Sequence, residues 1–245
     1  MRKHFKKFSA GFATLFLMGN VAFNQPQYHN TYLRWEVGES VVQVLSPAKA
    51  SGGTGFAVTA ASGEEFIMTN KHVCEVAING VVMIKRDGIG AVFKRVVYVD
   101  DQHDLCLIEG DKRLSPLETG SHPSKGDFHY VVGHPGLRQL SVQQGEFIGY
   151  SIVELIDDVR FRSECNGVIY DLTIAEQLQY GIDFICIRSY RSYATTATTY
   201  PGNSGSPVVD KYGNVIGVLF AGSSKQEKDN YLVPLVHIER VLSKF

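Results

Sequence analysis

The chain has 245 residues, with 24 Lys and Arg against 25 Asp and Glu, for a formal net charge of −1. That balance leaves no basic field to hold nucleic acid, and 44% hydrophobic with 20% charged residues excludes bulk disorder. Four cysteines are too few for a disulfide-built scaffold, 24 Gly and 8 Pro are too ordinary for collagen or a low-complexity linker, and the length suits one large domain or two small ones.

The first seven residues, MRKHFKK, hold four Lys/Arg, and no charged residue follows from Phe8 to Leu33. Ala10–Phe23 within that stretch is mostly apolar. A basic start before an apolar run of this length has the form of a secretory signal peptide, here over residues 1–23. Asn20 and the run Asn24-Gln25-Pro26-Gln27 end the apolar stretch short of a full membrane span. An uncleaved anchor and a helix of the fold itself are the other readings. Cleaved or anchored, the segment places the rest of the chain outside the cytosol, exported or tethered to a membrane through this segment alone. Residues 24–39 form an N-terminal extension.

From Ser40 the pattern is short strands between turns. Val41–Leu45, Gly55–Thr59, Phe66–Thr69, Val81–Arg86, Val92–Val99 and Leu105–Ile108 are rich in β-branched and aromatic residues, with turns such as Ala61-Ser62-Gly63 between them. These make a first barrel over residues 40–112. A polar, Pro-containing link covers 113–127. Strands resume at Phe128–Gly133, Leu140–Tyr150, Asp183–Arg188, Pro207–Val209, Val215–Phe220 and Tyr231–Val233. A short amphipathic helix over Val236–Phe245 ends the chain. The expectation is an all-β protein of two six-stranded antiparallel barrels with a C-terminal helix. The second barrel, 128–245, carries an insertion at about 153–181. Within the insertion Thr173 and Glu176 form a capping-box pattern ahead of a helix over Ile174–Tyr180, closed by Gly181.

Three residues carry chemistry. In PGNSGSP, Pro201–Pro207, Ser204 lies between two glycines in a tight turn before an apolar strand. A nucleophilic Ser needs such a bend, with backbone N–H groups converging where an oxyanion develops, and Gly202 supplies the freedom for it. A hydroxyl also needs a base. Of eight histidines, His72 in FIMTNKHVC directly follows a strand and opens a helix-like turn, whereas His29, His122 and His129 have polar neighbours, His134 is in a turn and His237 is in the last helix. The base in turn needs a carboxylate to fix its tautomer. Asp104 opens the apolar strand DLCLIE, and its rivals Asp100 and Asp101 do not lead straight into one.

The order His72, Asp104, Ser204, at spacings of 32 and 100 residues, resembles that of the two-barrel, chymotrypsin-like serine proteases. TNKHV, DLCLIE and GNSGSPVV with NVIGV are similar to the bacterial-type branch, which includes the HtrA group and the glutamyl endopeptidases. The resemblance runs from about Val41 to the C-terminus. It implies a serine endopeptidase acting on polypeptides through an acyl-enzyme, with Ser204 as nucleophile, His72 as base and Asp104 as its orienting acid. Backbone N–H groups of Gly202 and Ser204 would form the oxyanion hole, and neither metal nor cofactor is implied. Asn203 stands where digestive-type relatives have an Asp, so no zymogen ion pair is expected. Glutamyl endopeptidases hold the substrate carboxylate with a Thr five residues before the nucleophile and a His fifteen after it. Thr199 occupies the first place and Leu219 the second. A pocket edged by Leu219, Phe220 and Ala221 therefore implies an apolar or small residue before the scissile bond. The 41 residues after Ser204 leave no room for a PDZ domain of the HtrA kind. If the chain is exported, Cys74, Cys106, Cys165 and Cys186 can form two disulfides. Cys74 and Cys106 are expected to be neighbours if His72 and Asp104 are, a small buried hydrophobe being the other reading of Cys106. The competing functions are a protease-fold binding module that does not cut, and a membrane-tethered processing protease of a virus or phage.

Overall fold

The computed structural model describes residues 25–86, 88, 90–157, 159–222 and 230–245. The leader over residues 1–23 lies outside them. The N-terminal extension, for which no element is read from sequence, holds a helix, α1 (Gln25–Glu36). Leu33 and Val37, one helical turn apart, are fully buried, and with Leu140 alongside they join the core that runs between the barrels. One buried residue within the helix and one just past its end are too weak a periodic signal to see in the sequence.

Six strands follow: β1 (Val41–Leu45), β2 (Gly52–Thr59), β3 (Glu65–Thr69), β4 (Val81–Arg86), β5 (Gly90–Asp100) and β6 (Leu105–Glu109), with a one-turn helix α2 (Lys71–Cys74) after β3. All pairings are antiparallel, and the order β1-β2-β3-β6-β5-β4 closes into a barrel. Their side chains alternate between two cores. Val42, Val44, Ala57, Ile67, Cys106 and Ile108 fill the barrel, while Val41, Phe56, Phe66, Met68, Leu105 and Leu107 face the other half of the molecule. Burial on both faces is why these strands read as continuous apolar runs instead of a polar-apolar alternation.

The second half comprises β7 (Phe128–Gly133), β8 (Ser141–Asp157), β9 (Val168–Asp171), α3 (Ile174–Tyr180), β10 (Phe184–Thr195), β11 (Pro207–Val209), β12 (Val215–Gly222), β13 (Asn230–Pro234) and α4 (Leu235–Leu242). The strand order is β13-β12-β11-β7-β8-β10-β9, and β13 also pairs with β10. The six strands expected here are present, with one more at the edge. The β13–β10 pairing brings six strands round on themselves, and β9 adds a seventh outside β10. The link between halves is hydrogen-bonded to both: the Leu117 N–H donates to the Ala57 carbonyl (2.9 Å) and the Gly120 N–H to the Val215 carbonyl (2.8 Å).

The insertion is a long arm. β8 and β10 stay paired out to Asp157 and Cys186, and a disulfide from Cys165 to Cys186 staples the segment between them. Inside it, α3 has the expected ends. The Thr173 N–H donates to Glu176 Oε2 at 2.9 Å, and Gly181 closes the helix at φ 71°. Ile152, Ile156, Ile174 and Leu178 along the arm are exposed.

Candidate active site

His72 and Asp104 come together because β3 and β6 are neighbours. Their register pairs Thr69 with Cys106 and so places the residues just past the end of β3 beside those just before β6. The His72 ring donates from Nδ1 to Asp104 Oδ2 at 2.8 Å, and the His72 backbone N–H donates to Asp104 Oδ1 at 3.0 Å. The carboxylate thus fixes both the ring and the peptide that carries it. Asp104 itself sits at φ 53°, a left-handed conformation that Asp tolerates better than most side chains. The fully buried Asn70 holds that strained backbone by donating from Nδ2 to the Asp104 carbonyl at 3.0 Å. A disulfide joins Cys74 to Cys106, each two residues past its partner in the pair.

Exposure divides the roles. The His72 side chain is 42% exposed and the Asp104 side chain 9%. Burial disfavours the imidazolium, but the hydrogen bond and the charge of Asp104 outweigh it and hold the His72 pKa above its ordinary 6.5. With Nδ1–H committed to Asp104, the neutral ring presents Nε2 as the acceptor.

The Ser204 loop is held from both halves of the molecule. Thr54 of β2 does most of this. Its N–H donates to the Ser204 carbonyl (2.8 Å), and its hydroxyl donates to the Gly202 carbonyl (2.8 Å) and accepts from the His134 N–H (3.1 Å). Gly136 donates to the Pro201 carbonyl at 2.6 Å and Gly205 to the Leu219 carbonyl at 2.8 Å. Gly202 has φ 94°, and a Cβ there would lie 2.6 Å from the His134 carbonyl oxygen, so glycine is required on two counts. A Cβ on Gly53 would meet the Ser204 carbonyl at 2.6 Å and Val73 Cγ2 at 2.7 Å. The Ser204 peptide and the side chain next to His72 therefore pack on one glycine. Among the described residues, the N–H groups of Gly202 and Ser204 and the Ser204 hydroxyl make no hydrogen bond.

The expected specificity residues fall differently. The Thr199 hydroxyl donates to Asn230 Oδ1, and Asn230 Nδ2 donates to the Ala197 carbonyl at 2.6 Å. Leu219 is packed inside the second half with Val131, Ile216 and Leu232, and Phe220 is 5% exposed against Tyr190. Ala221 pairs with Tyr231 in the ladder; its side chain is outside the described residues. Asn203 is buried and donates to Gln143 Oε1 (3.3 Å). His129, whose neighbours in sequence are polar, is fully buried with Nε2 2.6 Å from the Thr195 hydroxyl, a correction to its reading as a histidine in polar surroundings.

Sequence reasoning missed Thr54, Asn70 and Asn230. Thr54 stands in Gly52-Gly53-Thr54-Gly55, where glycines mark a close approach of backbones. Asn70, between a strand end and His72, and Asn230, in a short polar stretch, carry no pattern that separates them from turn residues.

This architecture is that of the trypsin-like peptidases, and the chain belongs to that family: the family's domain model matches residues 53–218. It is 30% identical over 192 residues to the mitochondrial protease Do-like 12 of Arabidopsis thaliana, covering 75% of this chain and 32% of that protein. It is 25% identical over 198 residues to a periplasmic DegP-like serine endoprotease of Chlamydia trachomatis, covering 78% of this chain and 33% of that one. The chain thus spans about a third of the length of these relatives. Among solved structures, the active form of the Rv3671c protease of M. tuberculosis has the same fold, with a TM-score of 0.63 at 20% identity over 87% of this chain and 83% of that one. No described helix is long and apolar enough to cross a membrane.

Proposed function

We propose that this chain is a serine endopeptidase in which His72, Asp104 and Ser204 act as a triad. The observation that carries the reading is the double hydrogen bond from His72 to one shielded carboxylate, beside a serine loop in which the Gly202 and Ser204 N–H groups are uncommitted. Ser204 Oγ attacks the scissile carbonyl as its proton passes to His72 Nε2. The N–H groups of Gly202 and Ser204 stabilise the oxyanion, each such donor typically supplying about 3 kcal/mol. His72 then protonates the leaving amine, the C–N bond breaks, and water resolves the acyl-enzyme by the same route. The Asp104 charge stabilises the imidazolium formed at each step.

The residue before the scissile bond is apolar or small. Thr199 and Asn230 satisfy one another, and neither that pair nor the Leu219–Phe220 segment brings a cation to receive a carboxylate. Export across a membrane agrees with the two disulfides and the basic-apolar leader.

The test is labelling by a serine-directed fluorophosphonate. We expect labelling of the wild type and none of Ser204→Ala. Well-folded wild type that stays unlabelled would instead mean a protease-fold binding module. Cleavage of a peptide library tests specificity, and dominant cutting after Glu, Lys or Arg would overturn it. Mass measurement of the mature N-terminus separates a released enzyme from a tethered one.

A further inference from the structure

A cleft of about 310 Å³ lies where three elements meet: the β5–β6 turn through Gln102 and His103, strand β10 through Ser189 and Arg191, and helix α4 through His237 and Arg240, with Phe220 of β12 also on its wall. Positive groups converge in it without compensation. Arg191 and Arg240 form no ion pair among the described residues. Asp100, beside the cleft, is already engaged: His103 Nδ1 donates to its Oδ2 at 3.0 Å and the Gln102 N–H to its Oδ1 at 3.0 Å. The His103 and His237 rings stack at 3.8 Å between centroids, and His237 Nδ1 is buried with no hydrogen-bond partner among the described residues. Burial, then the charges of His103, Arg240 and Arg191, hold the His237 pKa down to about 4 against the smaller opposing pull of Asp100.

The cleft adjoins the proposed active site on two sides. Gln102 and His103 immediately precede Asp104, and Phe220 follows Leu219, whose carbonyl accepts from the Gly205 N–H of the serine loop. We propose that this cleft is an anion subsite that takes the carboxylate of an Asp or Glu side chain of the polypeptide substrate, away from the scissile residue, between Arg191 and Arg240 with Phe220 as an apolar wall. A guanidinium pair suits a carboxylate because each fork can give two charge-assisted hydrogen bonds. The proposal rests on the peptidase reading above and deepens it. It is also compatible with the apolar preference at the cleaved residue, because Arg191 and Arg240 belong to this cleft and not to the Thr199 and Leu219 side of the site.

The test takes a cleaved neutral peptide and places Glu, then Gln, at each position in turn on both sides of the scissile bond. At one position we expect kcat/KM for Glu to exceed that for Gln by about tenfold. The Glu/Gln ratio should fall towards one in the Arg191→Gln/Arg240→Gln double variant, persist in part in Arg191→Lys/Arg240→Lys, and shrink with added salt. No position with a preference, or a preference that survives removal of both arginines, overturns the proposal. An arginine-dependent response of the neutral peptide to inorganic phosphate, with no Glu preference anywhere, would make the cleft a free-anion site and overturn the substrate assignment. If no peptide is cut and no fluorophosphonate label appears, the peptidase reading has failed; titration of the Glu and Gln peptides against Ser204→Ala then still decides the cleft by direct binding.

Discussion

Asp104 holds His72 at two points, ring and backbone, using one carboxylate oxygen for each (2.8 and 3.0 Å). Removing the charge while keeping the shape separates the two jobs. In Asp104→Asn the side chain remains isosteric, but an amide cannot accept at both positions, and an NH2 facing Nδ1 favours the wrong tautomer. We expect kcat on a peptide substrate to fall by about 10⁴-fold with the fold intact by circular dichroism. A loss of less than about tenfold would mean that Asp104 only organises the loop.

The pH dependence follows from the same pair. The proposed mechanism needs neutral His72, whose pKa is held above 6.5. Activity should therefore fall as pH drops through that raised value, with the acid limb of kcat/KM above 6.5. Stability from this pair has the opposite sign. A raised folded pKa gives a contribution fully present below 6.5 and lost as pH rises through the folded value. Titration of the His72 ring by NMR checks both, and Asp104→Asn should move it down.

His129 works the other way. Burial pushes its pKa down to about 4, so the folded state holds it neutral while the unfolded chain protonates near 6.5. Its contribution is present above 6.5 and lost as pH falls towards 4, by roughly 3 kcal/mol for a fully buried imidazole. Urea unfolding at pH 7 and pH 4.5 should show the loss in the wild type and a smaller one in His129→Asn. His237, with its pKa also near 4, adds to it with the same sign.

Much of this was legible in the sequence, and the reasons differ by residue. His72 and Asp104 could be found because each stands at the boundary of an apolar strand, and strand boundaries survive translation into structure. The bend at Ser204 could be read because Gly202 and Gly205, both at positive φ, encode a turn that few other loops need. The seventh strand could not: Val168–Asp171 is exposed along its whole length, so neither alternation nor an apolar run marks it. Leu219 and Phe220 show another limit. Carried over from a motif they read as pocket edge, yet alternation along β12 sends Leu219 into the core of the second half and Phe220 into the core between the halves. Thr54 escaped because its role is a contact across 148 residues of chain.

Thr54 is thus a positioning residue for the serine loop. It is fully buried, and its hydroxyl joins the Gly202 carbonyl to the His134 N–H. Thr54→Val keeps the volume and strands two buried backbone groups, at a cost of about 1–3 kcal/mol in stability. Because the Gly202 peptide then loosens, kcat should fall about ten- to a hundredfold while KM changes little, since a partial loss of oxyanion geometry acts on the transition state. Thr54→Ser should recover most of both. A purely structural role would lower the melting temperature without that split between kcat and KM.

The two disulfides should differ in their effect on catalysis although their loops are similar. Cys74–Cys106 encloses a sequence separation of 32 and Cys165–Cys186 one of 21. The loop-entropy argument assigns each about 3–4 kcal/mol. The first, however, ties the turn carrying His72 to the strand that follows Asp104, whereas the second lies in the arm. Cys74→Ala/Cys106→Ala should lower the melting temperature and kcat together, as the His72–Asp104 distance gains freedom. Cys165→Ala/Cys186→Ala should loosen the arm and leave turnover of a short neutral peptide close to the wild-type value. Equal losses of kcat in the two variants would show that the arm, and not the Cys74–Cys106 bridge alone, sets the geometry of the site.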